Sequence, residues 1–247
     1  MGMDKATATK YVTIVIDNLE GGYYHPDMKS KLKGGEAMMD SGETMYGLDR
    51  KAGAPGVTVG ASQEAFWRTI DTYYGKHHAD TAYYADMAAG KKADIPATVG
   101  QTLKAYAADI ILQLFNDYAT RYKLDAAAAQ KIFSDPALTL QFFYAVYNGP
   151  VAFGKFVEAM NTAYSKGTQD ARALYQLLQA KRRTMGSGEY GNKLYRQGAD
   201  KIDEIIKKYF GLDYADSTAS ASSGGNGAKW LLIALAAAGV VYFVTKK

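Results

Sequence analysis

The chain has 247 residues, 48% of them apolar, and a formal net charge of +4, enough to bury one proper core with an appendage. Cysteine is absent, which excludes disulfides and thiolate metal sites. Basic and acidic residues are well mixed, which argues against a nucleic-acid partner, since that needs a concentrated basic face. A slight positive excess does suit a polyanionic polymer such as a bacterial cell wall.

The opening "MGMDKATATKY" has no basic patch followed by an apolar run and a small-residue cleavage site, so no signal peptide is expected. Ala6 stands where N-myristoylation of Gly2 requires Ser or Thr. "YVTIVIDNLE", residues 11–20, reads two ways. Its β-branched residues suit a strand, while Val12, Val15, Ile16 and Leu19 also fall on one helical face. Residues 23–60 are glycine-rich, hold Pro26 and Pro55, and show little periodicity, which predicts loops with a short hairpin near 40–48. Long irregular stretches in compact domains are often functional.

Downstream the reading is helical. Leu103, Tyr106, Ala107, Ile110, Ile111, Leu114, Phe115 and Tyr118 form one apolar stripe. "SDPALTLQFFYAVYNGP" opens with Asp135 as N-cap and Pro136 at the first helical position, and Asn148-Gly149-Pro150 predicts its stop. Further helices are expected at 151–165, 169–184 and 199–210, the last with Ile202, Ile205, Ile206, Tyr209 and Phe210 as its stripe. The fold class expected is mainly α (α+β), with a loop and small-hairpin region.

After residue 215 the composition changes. "DSTASASSGGNGA", residues 216–228, reads as a flexible linker. Residues 229–247 then hold an uncharged apolar run, 230–245, between Lys229 and Lys246-Lys247. That length is at the short end of the roughly 17 to 25 residues that span a bilayer. Trp230 and Tyr242 match an aromatic belt and the lysines can snorkel. A transmembrane anchor is therefore expected through residues 230–245, and the two lysines after it favour an inside C-terminus.

Two stretches carry candidate chemistry: "LEGGYYHPDM", 19–28, and "DSGETMYGLDR", 40–50. A carboxyl at the end of an apolar helix is partly desolvated and stays protonated nearer neutral pH, which suits Glu20 to donate a proton. Gly21 and Gly22 let the chain turn and let a substrate approach the backbone. Asp40 and Thr44 would face Glu20 across a cleft, the first as an ionised carboxylate and the second orienting water. A glutamate before two glycines is, on its own, more often a plain helix-end charge. The 20 tyrosines are mostly packing residues, with carbohydrate stacking the sharper role for a few. His25, His77 and His78 do not make a metal site, no Gly-x-Ser-x-Gly or phosphate-cradling loop occurs, and no cofactor is expected.

Together the two stretches resemble the N-terminal signature of the glycoside hydrolase family 108 lysozymes. Glu20, Gly21, Gly22 and Tyr23 match its Glu-Gly-Gly-Tyr. Asp40, Gly42, Thr44, Gly47 and Leu48 match its second motif, which here lacks a Pro and one Gly. "FFYAVYNGPVAFGKFVEAMN", "ARALYQLLQAKRR" and "GNKLYRQGADKI" are similar to its peptidoglycan-binding region, about 140–210. The resemblance implies a lysozyme-like domain over 1–215 that cleaves peptidoglycan, with Glu20 as catalytic acid beside Asp40 and Thr44. It places Gly21, Tyr23, Tyr46 and Asn148 at the substrate. The stretch between Glu20 and Asp40 is longer than the family's, and Asp27 and Glu36 within it are alternative second carboxylates. The expected protein is a membrane-anchored muramidase, a phage virion entry enzyme or a lysis enzyme at the host inner membrane, its domain facing the wall. A lytic transglycosylase using Glu20 alone, and a non-catalytic wall-binding or virion structural protein, are the alternatives.

Overall fold

A computed structural model describes residues 3–20, 24–25, 44–50, 60–74, 97–185 and 192–214. The chain forms two compact units, residues 1–117 and 118–247, and both are mainly helical.

In the first unit Asp4 caps helix α1 (Lys5–Val15), its carboxylate accepting from the Thr7 N–H at 2.9 Å and the Thr7 hydroxyl at 2.6 Å. The strand-or-helix ambiguity of residues 11–20 resolves to helix. Ala8, Tyr11, Val12, Ile14 and Val15 are all buried, and that burial outweighs the β preference of branched side chains. The last five residues, Ile16–Glu20, wind as a π-helical turn. Three two-residue strands follow, β1 (Tyr24–His25), β2 (Thr44–Met45) and β3 (Leu48–Asp49), antiparallel in that order. The expected hairpin is β2–β3. Helix α2 (Ala61–Tyr74) buries Phe66, Trp67 and Ile70. Helix α3 (Ala97–Arg121), whose residues 118–121 fall in the second unit, buries Leu103, Ala107, Ile110, Ile111, Phe115 and Tyr118 of the expected stripe, while Tyr106 and Leu114 are half-buried.

The second unit holds α4 (Ala126–Ser134), α5 (Pro136–Tyr147), α6 (Pro150–Ser165), α7 (Ala171–Thr184), a π-helical segment (Asn192–Gln197) and α8 (Gly198–Phe210). Helix α5 packs against α4, α6, α7 and α8, and every residue from Ala137 to Val146 is buried. A helix apolar all round belongs at the centre of a core. Asp135 caps it as the sequence predicts, accepting from the Ala137 and Leu138 N–H groups at 2.9 and 3.0 Å and from the Tyr214 hydroxyl at 3.1 Å. The stop at Asn148-Gly149 is a tight corner, with Gly149 at φ +88° and α6 starting at Pro150. In α8 the buried stripe is Ile202, Ile205 and Ile206. Tyr209 is exposed and Phe210 half-buried, because the helix stops at left-handed Gly211 directly after them.

Arg182 of α7 is fully buried. Its Nε and Nη2 donate to the side-chain and main-chain oxygens of Gln141 at 3.1 and 3.2 Å, and Nη1 donates to Asn148 Oδ1 at 2.5 Å. The guanidinium also lies over the Tyr144 and Phe156 rings, 4.6 and 4.8 Å from their centroids. Arg182→Ala removes these bonds and leaves a cavity, so the unit is expected to lose about 3 kcal/mol of stability. A lowered urea midpoint with an unchanged slope is the reading that checks it.

Among the described residues no helix is long and apolar enough to cross a membrane. The expected linker 216–228 and anchor 229–247 lie outside the described residues.

Candidate active site

The site begins where α1 ends. The Asn18 side chain donates to the Ile14 carbonyl at 2.7 Å, the acceptor that α geometry would pair with the Asn18 backbone N–H. Local side-chain bonds of this kind compete with the helical ladder, and here the ladder widens into the π turn that ends on half-buried Glu20. π turns inside helices occur frequently at functional sites.

The second stretch supplies the opposing surface. β2 and β3 pair Thr44 with Asp49 and Met45 with Leu48, leaving Tyr46-Gly47 as a two-residue turn. Both have positive φ, 55° and 71°, the signature of a type I′ hairpin. Gly47 rests directly on the acid. A Cβ built there would lie 2.5 Å from Glu20 Oε2 and 2.9 Å from its Cδ, so the position requires a glycine for its backbone and for the close approach. The chain leaving Glu20 is also folded onto this hairpin, since β1 pairs Tyr24 with Met45 and His25 with Thr44.

Tyr46 underpins the turn. Only 3% of its surface is exposed, and its ring meets Phe66 of α2 edge-on, centroids 6.3 Å apart. Its hydroxyl reaches α3 at Gly100, where a Cβ would sit 3.6 Å away. Burial, and then the charge of Asp17, push this phenol up to about 12. At neutral pH it is therefore protonated and cannot act as a base. Asp17, three residues before Glu20, pairs with Lys104 of α3 at 2.6 Å.

The structure thus brings Glu20, Tyr46 and Gly47 together and sets Thr44 in the strand leading to the turn. Gly21, Tyr23, Asp40, Asp27 and Glu36 lie outside the described residues. Asn148 belongs to the second unit, where it caps α5 and its oxygen accepts from Arg182. Sequence reasoning passed over Asp17, Gly100 and Lys104. Asp17 was visible three positions before Glu20, but Lys104 lies 87 positions beyond Asp17 and carries no local signal. Among the described residues no group of three or more His, Asp or Glu is placed to hold a metal.

Chemically, Glu20 is a carboxyl on a firmly seated helix end, with a side-chain-free backbone against one face. A carboxyl within reach of a substrate oxygen can deliver a proton to it. No protein-family model, curated protein or solved structure matches the chain.

Proposed function

We propose that the chain is a peptidoglycan muramidase tethered to a membrane by its C-terminal segment, with Glu20 as the catalytic acid. The observation that carries the reading is the seating of Glu20 against Gly47. Two stretches selected from sequence as halves of one glycosidase signature meet at the carboxyl that such chemistry requires. Glu20 protonates the glycosidic oxygen as the bond to the sugar breaks, and the developing positive charge on the ring is met by a second carboxylate. The resemblance assigns that role to Asp40, with Thr44 orienting the water that completes hydrolysis. A lysozyme-like domain over residues 1–215 belongs to the same reading.

The test is turbidity loss of a purified peptidoglycan suspension by the full chain. Clearing with release of reducing ends supports a hydrolase, and anhydro sugar ends would assign a lytic transglycosylase instead. No clearing across a range of pH and salt would move the protein to a wall-binding or structural role.

The tether raises the effective concentration of the enzyme near the wall, with the 216–228 linker setting its reach. This suits a bacterial virus with a lipid membrane in its particle, or a lysis enzyme held at the host inner membrane. The full chain is expected to float with liposomes in a density gradient, and a chain ending at residue 228 to stay at the bottom. Equal sedimentation of the two would remove the anchor.

A further inference from the structure

We propose that Arg50 is a positioning residue for Glu20: clamped to α2, it holds the hairpin whose tip backs the acid. Its consequence for catalysis rests on the muramidase reading; its consequence for the Glu20–Gly47 contact does not.

Arg50 directly follows β3. Its guanidinium lies over the Trp67 ring, 4.7 Å from the centroid, and makes an ion pair with Asp71. Trp67 and Asp71 are four residues apart on α2, so they present one continuous face a single turn long. A planar guanidinium can stack and hydrogen-bond on such a face at once, which an ammonium cannot. The turn end of the hairpin is held by the same helix, because Tyr46 meets Phe66, and Phe66 in turn meets Trp67 edge-on at 5.2 Å. Helix α2 therefore grips the hairpin at its tip and at its base.

The grip matters because the hairpin cannot hold itself. Its strands are two residues long, and so short a ladder is marginal without outside packing. Glu20 is fixed by α1 and its π turn, and the chain that leaves it joins the hairpin through two-residue β1. That ladder is as short as the hairpin's own, and Gly47 offers no side chain to interlock with the acid, so their register draws on where the hairpin is anchored. Arg50 and Asp71 are each about one-third exposed, so the clamp sits at the rim of the core rather than inside it.

The experiment uses the full chain, with Arg50→Gln and Arg50→Lys beside the wild type. The first readout is the amide resonance of Gly47, which shifts as Glu20 titrates because the carboxyl sits against it. The amplitude of that shift is expected to fall by more than about half in Arg50→Gln, and to lie between the two in Arg50→Lys, since a point charge replaces the stacked fork. Loss of global stability alone would not change the amplitude in the folded protein. The second readout is turnover of peptidoglycan. Here kcat is expected to fall roughly 10- to 100-fold with KM little changed, as misplacement of about 1 Å can cost that much.

An unchanged Gly47 amplitude in Arg50→Gln would overturn the inference. So would unchanged kcat in an enzyme whose wild type cleaves. If the wild type does not cleave, the muramidase reading fails alone, and the Gly47 amplitude still decides whether Arg50 positions the acid.

Discussion

Glu20→Gln is expected to abolish clearing of peptidoglycan, lowering kcat by at least about 10³-fold, because a positioned proton donor typically contributes 10²- to 10⁴-fold. The substitution keeps the side-chain volume, so the seat against Gly47 stays filled. It removes the one capability the proposal assigns to Glu20, since an amide cannot protonate a departing oxygen. Binding to insoluble peptidoglycan should persist, and stability should change by less than about 1 kcal/mol, as is usual outside the core. The decisive comparison is reducing-end release by equal amounts of folded wild type and variant. More than a tenth of wild-type activity in the variant would move the acid to another residue.

Gly47→Ala is the second large effect. The backbone there sits at φ +71°, a region that costs a residue with a Cβ about 1–2 kcal/mol. The new methyl would also lie 2.5 Å from Glu20 Oε2, well inside contact distance, so the carboxyl or the hairpin has to move. We expect a loss of about 1–3 kcal/mol in stability. Turnover should drop by about 10²-fold through displacement of the acid. Strain and collision are separable. In the double variant Glu20→Ala with Gly47→Ala the collision partner is gone, so part of the stability returns and the two changes are non-additive by about 0.5–2 kcal/mol. Strict additivity would mean that the carboxyl does not press on residue 47 in solution.

The parts of the fold that were legible in the sequence are those written locally. Asp135 followed by Pro136 is a cap and a start within two residues, and the stripe from Leu103 to Tyr118 repeats at one period. Both survive because burial and capping in α5 and α3 agree with them. The residues from Tyr11 to Glu20 were undecidable because branched apolar side chains satisfy both periods, and only packing around Val12, Val15 and Ile16 selects helix. Helix α2 was missed since its inward face is brief, Phe66, Trp67 and Ile70 within an otherwise polar segment. Helix α4 was missed although Asp125 caps it, accepting from the N–H groups of Ala127 and Ala128.

At the site, the sequence named Glu20 and the turn that meets it, because both lie in short motifs. It was silent on what holds them. Arg50 finds Asp71 across 21 positions and Lys104 finds Asp17 across 87, and no spacing rule links such pairs. The resemblance places Tyr46 at the substrate, and the structure shows it buried against Phe66 beneath the turn.

The π turn at Ile16–Glu20 has a genetic consequence. Deleting one codon between those for Ile16 and Glu20, such as that for Asn18, would restore ordinary helical winding. It would change the angle at which the Glu20 carboxyl leaves the helix, because a turn closed by i→i+5 bonds winds less per residue than one closed by i→i+4 bonds. The acid would remain in the protein, unaltered but no longer aimed at Gly47 as before. The aim of this carboxyl is thus encoded in a count of residues as much as in their identity, and a single in-frame deletion or insertion can unmake or remake the site without touching a residue that does chemistry.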